Sequence, residues 1–220
     1  MGCFSRLGCL TLGIVLGTLA LALFLATRPA GPRYEDGIYV YDVAGLERRV
    51  PITDEAAQSF AAKVNGDLPP TGLIEAATAG VPITEAELNS RVAQKLAERP
   101  VSGYGATVDR VFIRLANDGA RAYVYSTVRG APVVLSSDLV FKVGKGAVEV
   151  ELQNPHAGRL PVGFALPAVL SLLNDLAGVE ETIALIIPPQ VHAIRYEEGQ
   201  LRVQVNPLAS YVTRSARTPA

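Results

Sequence analysis

The residues that could carry out chemistry are few, and their spacing does not form a catalytic or metal-binding pattern. The only histidines are His156 and His192, and neither has another ligand at a metal-binding spacing. We interpret His156 as a solvated residue of a turn and His192 as a structural or surface residue of a strand. Cys3 and Cys9, the only cysteines, both belong to the N-terminal segment. We therefore predict neither a metal ion nor a cofactor.

Other polar groupings lack the context that catalysis requires. Gly103-Tyr104-Gly105 has neither the further glycine nor the strand-turn-helix setting of a phosphate-binding loop. Ser136-Ser137-Asp138 falls within a predicted strand, whereas the nucleophile of an elbow motif occupies a sharp turn. The pairs Glu180-Glu181 and Glu197-Glu198 are typical of solvated charge. The sequence thus predicts a protein that is not an enzyme. A cluster of polar side chains in a pocket would instead favour an enzyme.

The element that organises the chain is a run of alternating apolar and polar residues between Ala106 and Gln153. Such alternation is typical of half-buried strands, because successive side chains point to opposite faces. Turn-forming residues interrupt the run at Asp118-Gly119, Gly130-Ala131 and Gly144-Lys145. We predict a four-stranded antiparallel meander with one apolar and one solvated face. Two-residue loops at these turns would pair Leu115 with Ala122, Val128 with Val133 and Phe141 with Val148.

Helices are predicted where apolar residues recur every three or four positions instead of every second position. Val-Pro-Ile-Thr occurs at 50–53 and again at 81–84, and each copy precedes an amphipathic stretch. Each threonine is a suitable N-cap, and Thr84 with Glu87 forms a capping-box pattern. A third helix, Leu166–Ala177, carries a wide apolar stripe. We also predict a loop over residues 68–80 and a final hairpin around Glu197-Glu198-Gly199.

The N-terminal segment predicts a membrane anchor. Leu7 to Ala26 is a continuous uncharged run of twenty residues, about the length that crosses the ~30 Å hydrocarbon core as a helix. The alternative is a cleaved signal peptide, which has a shorter apolar region and a small-x-small cleavage site. We favour an uncleaved signal anchor with the N-terminus inside. The predicted parts are a cytoplasmic tail (1–6), a transmembrane anchor (7–27), a Pro/Gly tether (28–37), an α+β extracytoplasmic domain (38–212) and a flexible tail (213–220).

The apolar face of the meander is the predicted functional surface. Its centre is small, with Ala122, Ser126 and Ser137, so that either a helix packs closely there or space remains for an acyl chain. Three short helices would have to cover four strands, which favours partial coverage and a groove. The lining that we predict consists of Ala122, Val124, Ser126, Leu135, Ser137, Leu139, Phe141, Val148 and Val150 from the sheet, with Leu166, Val169, Leu170 and Leu173 from the third helix.

The order of these segments resembles a bacterial group of membrane-anchored extracytoplasmic proteins, those of the YpmS and LmeA type. The resemblance covers most of residues 38–206, and the segments that carry it are the short, structural stretches Ile83–Asn89 and Gly158–Pro161. The LmeA side of the resemblance implies phospholipid binding by an α+β fold in which a curved sheet wraps a long helix, as in tubular lipid-binding domains. It brings no catalytic residue with it.

Two functions remain open at this point. The first is a tethered domain that binds a phospholipid, an acyl chain or another hydrophobic ligand in a groove between sheet and helices. The alternative is a non-enzymatic scaffold of the cell envelope, with a dry core and a protein partner. A net charge of −1 at pH 7 provides no electrostatic attraction for nucleic acid, so we predict no nucleic-acid partner.

Overall fold

The structure is a computed structural model, and it describes residues 17–18, 20–22, 24–26, 28, 31–65, 80–103, 105–143, 148–161 and 191–205. Its residues 17–18, 20–22 and 24–26 are helical. Within these ranges, no helix combines the length and the apolar character that crossing a bilayer requires. Most of the predicted anchor, the predicted loop at 68–80 and the predicted helix Leu166–Ala177 lie outside the described residues.

The described chain is a mixed α+β fold in which the paired strands are antiparallel, as predicted. We number its elements in chain order. The strands are β1 (Arg33–Glu35), β2 (Ile38–Val43), β3 (Leu46–Pro51), β4 (Val81–Thr84), β5 (Ser102–Gly103), β6 (Ala106–Ala116), β7 (Gly119–Val128), β8 (Ala131–Val143), β9 (Val148–Ala157), β10 (Leu160–Pro161), β11 (Val191–Glu197) and β12 (Gln200–Val205). The helices with defined bounds are α1 (Asp54–Asn65) and α2 (Glu85–Glu98).

The largest sheet has six strands in the order β10-β9-β8-β7-β6-β5, and its four long strands are the predicted meander. The predicted register was wrong by two residues at each turn. Leu115 lies opposite Ala120, Val128 opposite Ala131 and Phe141 opposite Val150. A shift of two residues keeps every side chain on its predicted face, because the side-chain period of a strand is two.

A second sheet, β11-β12-β4, covers part of the apolar face of the meander. Its Ile83, Leu201 and Val203 join a core cluster with Leu115 and Leu139 of the meander. Both α1 and α2 contribute one buried side chain each to this cluster, Phe60 and Leu88. The predicted final hairpin is confirmed. The described cover of this face is therefore mainly a three-stranded sheet with two helices, whereas the sequence predicted helices alone.

The opposite face of the meander is not simply solvated, and that prediction was wrong. The third sheet, β1-β2-β3, packs Tyr39 and Val50 against Phe112, which is fully buried. Tyr123 and Tyr125 of β7 pack around this second cluster. Arginines occupy neighbouring positions on the same face of these strands. Because of them, the sequence pattern indicated a polar, solvated face. Arg114 lies over the Tyr41 ring at 5.3 Å, so its charge stays on top of an aromatic layer.

The two helices begin as the sequence predicts. Thr84 is the N-cap of α2, and its hydroxyl accepts a hydrogen bond from the Glu87 backbone while the Glu87 side chain accepts one from the Thr84 backbone. The Thr53 hydroxyl likewise accepts a hydrogen bond from Ala56 N at 3.2 Å. In both repeats the threonine hydroxyl therefore accepts a hydrogen bond from the backbone N–H three residues later, at the start of the helix.

Two local expectations do not match the structure. Arg33–Glu35, at the end of the predicted tether, is strand β1 and pairs with β2. His156 lies within β9 rather than in a turn, and its Nδ1 is 2.7 Å from the Asn154 carbonyl. The turn comes at Gly158 and Arg159, because Gly158 takes a positive φ of 56°.

Candidate functional site: the apolar face and its edges

The predicted lining residues of the meander lie on one face of three adjacent strands. The cross-strand partners include Ala122 with Ser137, Val124 with Leu135, and Phe141 with Val150. The strand position of Val148 is described, opposite Val143. Leu166, Val169, Leu170 and Leu173 lie outside the described residues, so the helix side of the predicted groove stays a prediction.

One end of this face is filled by the protein's own side chains. Leu139 is buried within the first core cluster, and Ala122, Phe141 and Val150 pack against it. The Tyr196 ring of β11 lies 6.2 Å from the Phe141 ring. These four predicted lining residues therefore belong to the core in the described structure.

The other end of the same face is different. Val124, Ser126 and Leu135 lie towards the β7–β8 turn and belong to neither of the two core clusters of the described chain. Ser126 is only 5 % exposed, and its hydroxyl donates to the Val133 carbonyl, so it presents little polarity. Val124, Val133 and Leu135 are partly exposed. We name this surface, formed by the partly exposed Val124, Val133 and Leu135 together with the buried Ser126 beside them, the open half of the face.

The N-terminal segment reaches the same end of the sheet. Arg159 N, in the β9–β10 turn, donates to the Leu25 carbonyl at 3.0 Å, and Gly158 N donates to the Val134 carbonyl at 2.7 Å. Val134 neighbours both Val133 and Leu135 in β8. The end of the apolar N-terminal run thus lies beside the turn that adjoins the open half.

The edge strand β6 is capped by side chains of α2. Asn89 is fully buried; its Nδ2 donates to the Ile113 carbonyl at 2.8 Å and its Oδ1 accepts from Ile113 N at 2.6 Å. One turn earlier, Glu85 Oε1 accepts from Leu115 N at 2.5 Å. The carbonyl of Leu115 accepts from Gly199 N at 2.9 Å. These contacts satisfy backbone groups that a further strand would otherwise pair.

Glu85 also lines a polar cleft of about 250 Å³ with Arg48, Thr84, Glu198 and Gln200. Its Oε2 accepts a hydrogen bond from the Tyr41 hydroxyl at 2.6 Å and lies 3.8 Å from Arg48 Nε. Burial raises the pKa of Glu85, although the hydrogen bonds from Tyr41 and Leu115 and the charge of Arg48 favour its ionised form. Burial, together with the hydrogen bond to Glu85, also raises the pKa of Tyr41.

This cleft is the kind of polar cluster that would favour an enzyme, but its groups are already engaged. Both oxygens of Glu85 have partners, and Arg48 Nη1 lies 3.3 Å from Glu198 Oε1. A general base must reach the proton that it removes from a substrate, whereas both oxygens of Glu85 accept hydrogen bonds from the protein itself. Among the described residues, no three His, Cys, Asp or Glu side chains come together as a metal site would require. The arrangement is best explained as a structural network that joins α2, β6 and the final hairpin.

Sequence reasoning missed Glu85 and Asn89 as buried residues. The signal was their helical spacing: with Leu88 and Val92 they follow the i, i+3, i+4, i+7 pattern of one helix face. Polar residues on the core-facing stripe of a helix must find buried partners. The segment Ile83–Asn89 therefore has a structural role in this chain.

No protein-family model and no curated protein matches the chain.

Proposed function

We propose that this chain is a membrane-tethered extracytoplasmic domain that binds a lipid tail or a similar hydrophobic ligand on the open half of the meander face. The anchor would be Leu7–Ala26, with the N-terminus inside. The observation that carries the proposal is the division of one continuous apolar face into a filled end and an end outside the described core clusters.

Two further features support the proposal. Burial of apolar area contributes roughly 25 cal/mol per Å², and the open half offers Val124, Val133 and Leu135 as partly exposed apolar side chains. The contact between Arg159 and Leu25 brings this end of the sheet to the end of the apolar N-terminal run. A lipid leaving the bilayer would therefore reach this surface over a short path.

Photocrosslinking tests the proposal directly. The full chain is reconstituted in phosphatidylcholine vesicles that contain a phospholipid with a photoactivatable group in its acyl chain. Trypsin cuts after Arg121, Arg129 and Lys142, so the two peptides 122–129 and 130–142 report on the open half separately from the anchor. We expect lipid adducts in both peptides.

A matched pair of variants distinguishes this surface from general membrane proximity. Ser126→Leu adds bulk on the open half and should reduce the adduct yield severalfold. Ser136→Leu makes the same change on the opposite face, beside Tyr123, and should leave the yield unchanged. Adducts that are absent from both peptides, or equally abundant in both variants, would contradict lipid binding and favour a scaffold with a protein partner.

A further inference from the structure

A second cleft, of about 270 Å³, lies along the same edge of the meander as the first, between the C-terminal half of α2 and the first half of β6. One wall is apolar and consists of Ile52, Ala93 and Leu96. The other wall carries Tyr34, Tyr39 and the charged residue Arg110. This volume is slightly below the ~300–1,000 Å³ of pockets for drug-sized ligands, so the cleft suits a small molecule.

Arg110 is an exposed residue that lines the cleft directly after an irregularity of the strand. The register of β6 against β7 shifts between Val108 and Arg110, so that Asp109 is the extra residue. Such bulges change the direction of a side chain and are frequent beside binding sites. The Arg110 guanidinium lies 4.7 Å from the Tyr34 ring centre and 5.6 Å from that of Tyr125. The two rings hold the cation in place without neutralising its charge.

The hydrogen-bonding capacity of Arg110 is unused within the described chain. There, no carboxylate lies within the 4.0 Å of an ion pair, whereas Arg121 and Arg202 each have such a partner at 2.6 Å and 2.7 Å. A guanidinium has five N–H donors in a planar fork that fits a carboxylate or a phosphate. An aromatic-backed arginine facing an apolar wall therefore matches a ligand with one anionic end and one apolar end.

Asp109 limits the charge of that ligand. It also lines the cleft, and its Oδ2 accepts a hydrogen bond from the Thr127 hydroxyl at 2.8 Å. A carboxylate this close to the cleft disfavours a ligand with several negative charges. A single negative charge is the best match to one arginine beside one aspartate.

We propose that this cleft binds a small amphiphilic monoanion, with its carboxylate or phosphodiester group on Arg110 and its apolar part against Ile52, Ala93 and Leu96. The cleft adjoins the open half, since its Val108 and Val111 are the cross-strand partners of Ser126 and Val124. Its anion contact, Arg110, instead pairs with Tyr125, so anion binding there does not depend on lipid binding. The same chemistry is offered by a free amphiphile and by the head region of an anionic bilayer lipid.

Ligand-observed NMR on the full chain in phosphatidylcholine nanodiscs tests this site. The probes are hexanoate and dibutyl phosphate, with hexanamide as the neutral analogue and empty nanodiscs as the background. Arg110→Gln removes the charge-assisted hydrogen bonds to the anion, so it should weaken binding of both anions by about tenfold or more. Hexanamide should bind weakly to both forms.

Two more variants keep the test decisive. Asp109→Asn should bind the anions as tightly as the unaltered chain or more tightly, since it removes the neighbouring negative charge. Leu96→Phe retains Arg110 but fills the cleft, so it should also weaken binding; it serves if Arg110→Gln does not fold. Unchanged anion binding in Arg110→Gln and Leu96→Phe, or equal binding of hexanamide, would overturn the proposal.

Nanodiscs that contain phosphatidylglycerol distinguish the two sources of the ligand. If the site takes up a bilayer lipid, dibutyl phosphate should bind more weakly in these discs than in phosphatidylcholine discs, and Arg110→Gln should remove that difference. If the ligand is a free amphiphile, the affinity should be the same in both. Either result is compatible with the site and identifies its source.

Discussion

At the scale of single residues, Asn89 decides whether α2 can lie against the edge of β6. The substitution Asn89→Leu leaves Ile113 N and the Ile113 carbonyl buried without the partners that they have at 2.6 Å and 2.8 Å. An unsatisfied buried polar group costs about 1–3 kcal/mol. We expect the free energy of unfolding to fall by about 2–4 kcal/mol in total, measured by urea denaturation of the full chain in a mild detergent.

Gln94→Leu is the control for this prediction. Gln94 is exposed on the same helix, and its side chain contacts only Arg91 among the hydrogen bonds of the described chain. Exposed substitutions usually change stability by less than about 0.5 kcal/mol. A loss for Asn89→Leu no larger than that of Gln94→Leu would show that the edge of β6 does not need its side-chain cap.

Glu85 predicts an unusual pH dependence of stability. Its folded-state pKa is raised above the ordinary value of 4.5 by burial. The protonated form therefore stabilises the folded protein, and this contribution is present below pH 4.5 and is lost as the pH rises through the folded-state pKa. Glu85→Gln is neutral at all pH values and does not lose it. We expect the stability of Glu85→Gln relative to the unaltered chain to rise between pH 4.5 and neutrality.

Glu87 provides the opposite case on the same helix turn. Burial alone would raise its pKa, but hydrogen bonds from Lys63, Ser59 and Thr84 outweigh burial and lower it. Its contribution to stability is therefore present above the unfolded pKa and lost as the pH falls. The relative stability of Glu87→Gln should fall from acid to neutral pH. Thermal melts across this pH range measure both variants relative to the unaltered chain. If the relative stabilities of Glu85→Gln and Glu87→Gln changed with pH in the same direction, the assigned pKa shifts would be contradicted.

At the scale of elements, the sequence predicted the faces of the strands but not their register. The alternation from Ala106 to Gln153 fixes which side chains share a face, since adjacent positions point in opposite directions. It does not distinguish Leu115 opposite Ala122 from Leu115 opposite Ala120, because both pairings preserve the pattern. The turns decide between them. The first two loops each begin one residue earlier than predicted, and at the third turn Val143 pairs with Val148, which leaves four residues between the strands rather than two. The helix starts were predicted correctly from sequence, because the capping hydrogen bonds of Thr53 and Thr84 are made within one helical turn.

The β7–β8 turn offers a test of this register. Its two loop residues are Arg129 and Gly130, with φ of 49° and 84°. The left-handed region costs a residue other than glycine about 1–2 kcal/mol, and asparagine less. Arg129→Asn creates the Asn-Gly pair that a type I′ turn prefers, so we expect a gain of about 0.5–1 kcal/mol in the free energy of unfolding.

Gly130→Ala is the counterpart in the same turn. Its φ of 84° is unfavourable for alanine, so this variant should lose about 1–2 kcal/mol. If the loop instead consisted of Gly130 and Ala131, as the sequence alone suggested, Arg129 would lie in the strand. Arg129→Asn would then be destabilising, which chemical denaturation would detect.

At the scale of the whole molecule, the sequence did not predict what covers the meander. Val81–Thr84 pairs with β12 across more than a hundred residues, and nothing local in either segment specifies that partner. The second cluster was missed for a related reason, since Tyr39 and Phe112 meet only when β2 folds over the meander. Arg110 was missed as a binding residue because a bulge, rather than sequence spacing, places it in a cleft. Long-range strand pairing and the bulge in β6 thus explain why the sequence pattern did not predict the cover of the meander, the second cluster or the position of Arg110.

The proposed lipid ligand requires the domain to lie close to a bilayer, and the predicted anchor would hold it there. Deleting residues 1–30 removes the apolar run but leaves strand β1 intact. We expect the full chain, expressed in a bacterial host, to stay with the membrane pellet after carbonate extraction and the shortened chain to lose this association. Leu16→Arg combined with Leu19→Arg should have the same effect without shortening the chain, since each arginine costs about 2.5–3.5 kcal/mol near the centre of a bilayer.

Two measurements separate the anchor from its alternatives. The intact mass of the membrane-bound protein should include residues 1–30, whereas a cleaved signal peptide would remove them. A phosphatase fused after Ala220 should be active, because the proposed orientation places the C-terminus outside the cytoplasm. Release of the full chain by carbonate would contradict the anchor. An inactive phosphatase fusion would contradict the proposed orientation. In the first case the contact of Leu25 with Arg159 would mark packing of the N-terminal helix on the domain rather than the approach of the domain to a bilayer.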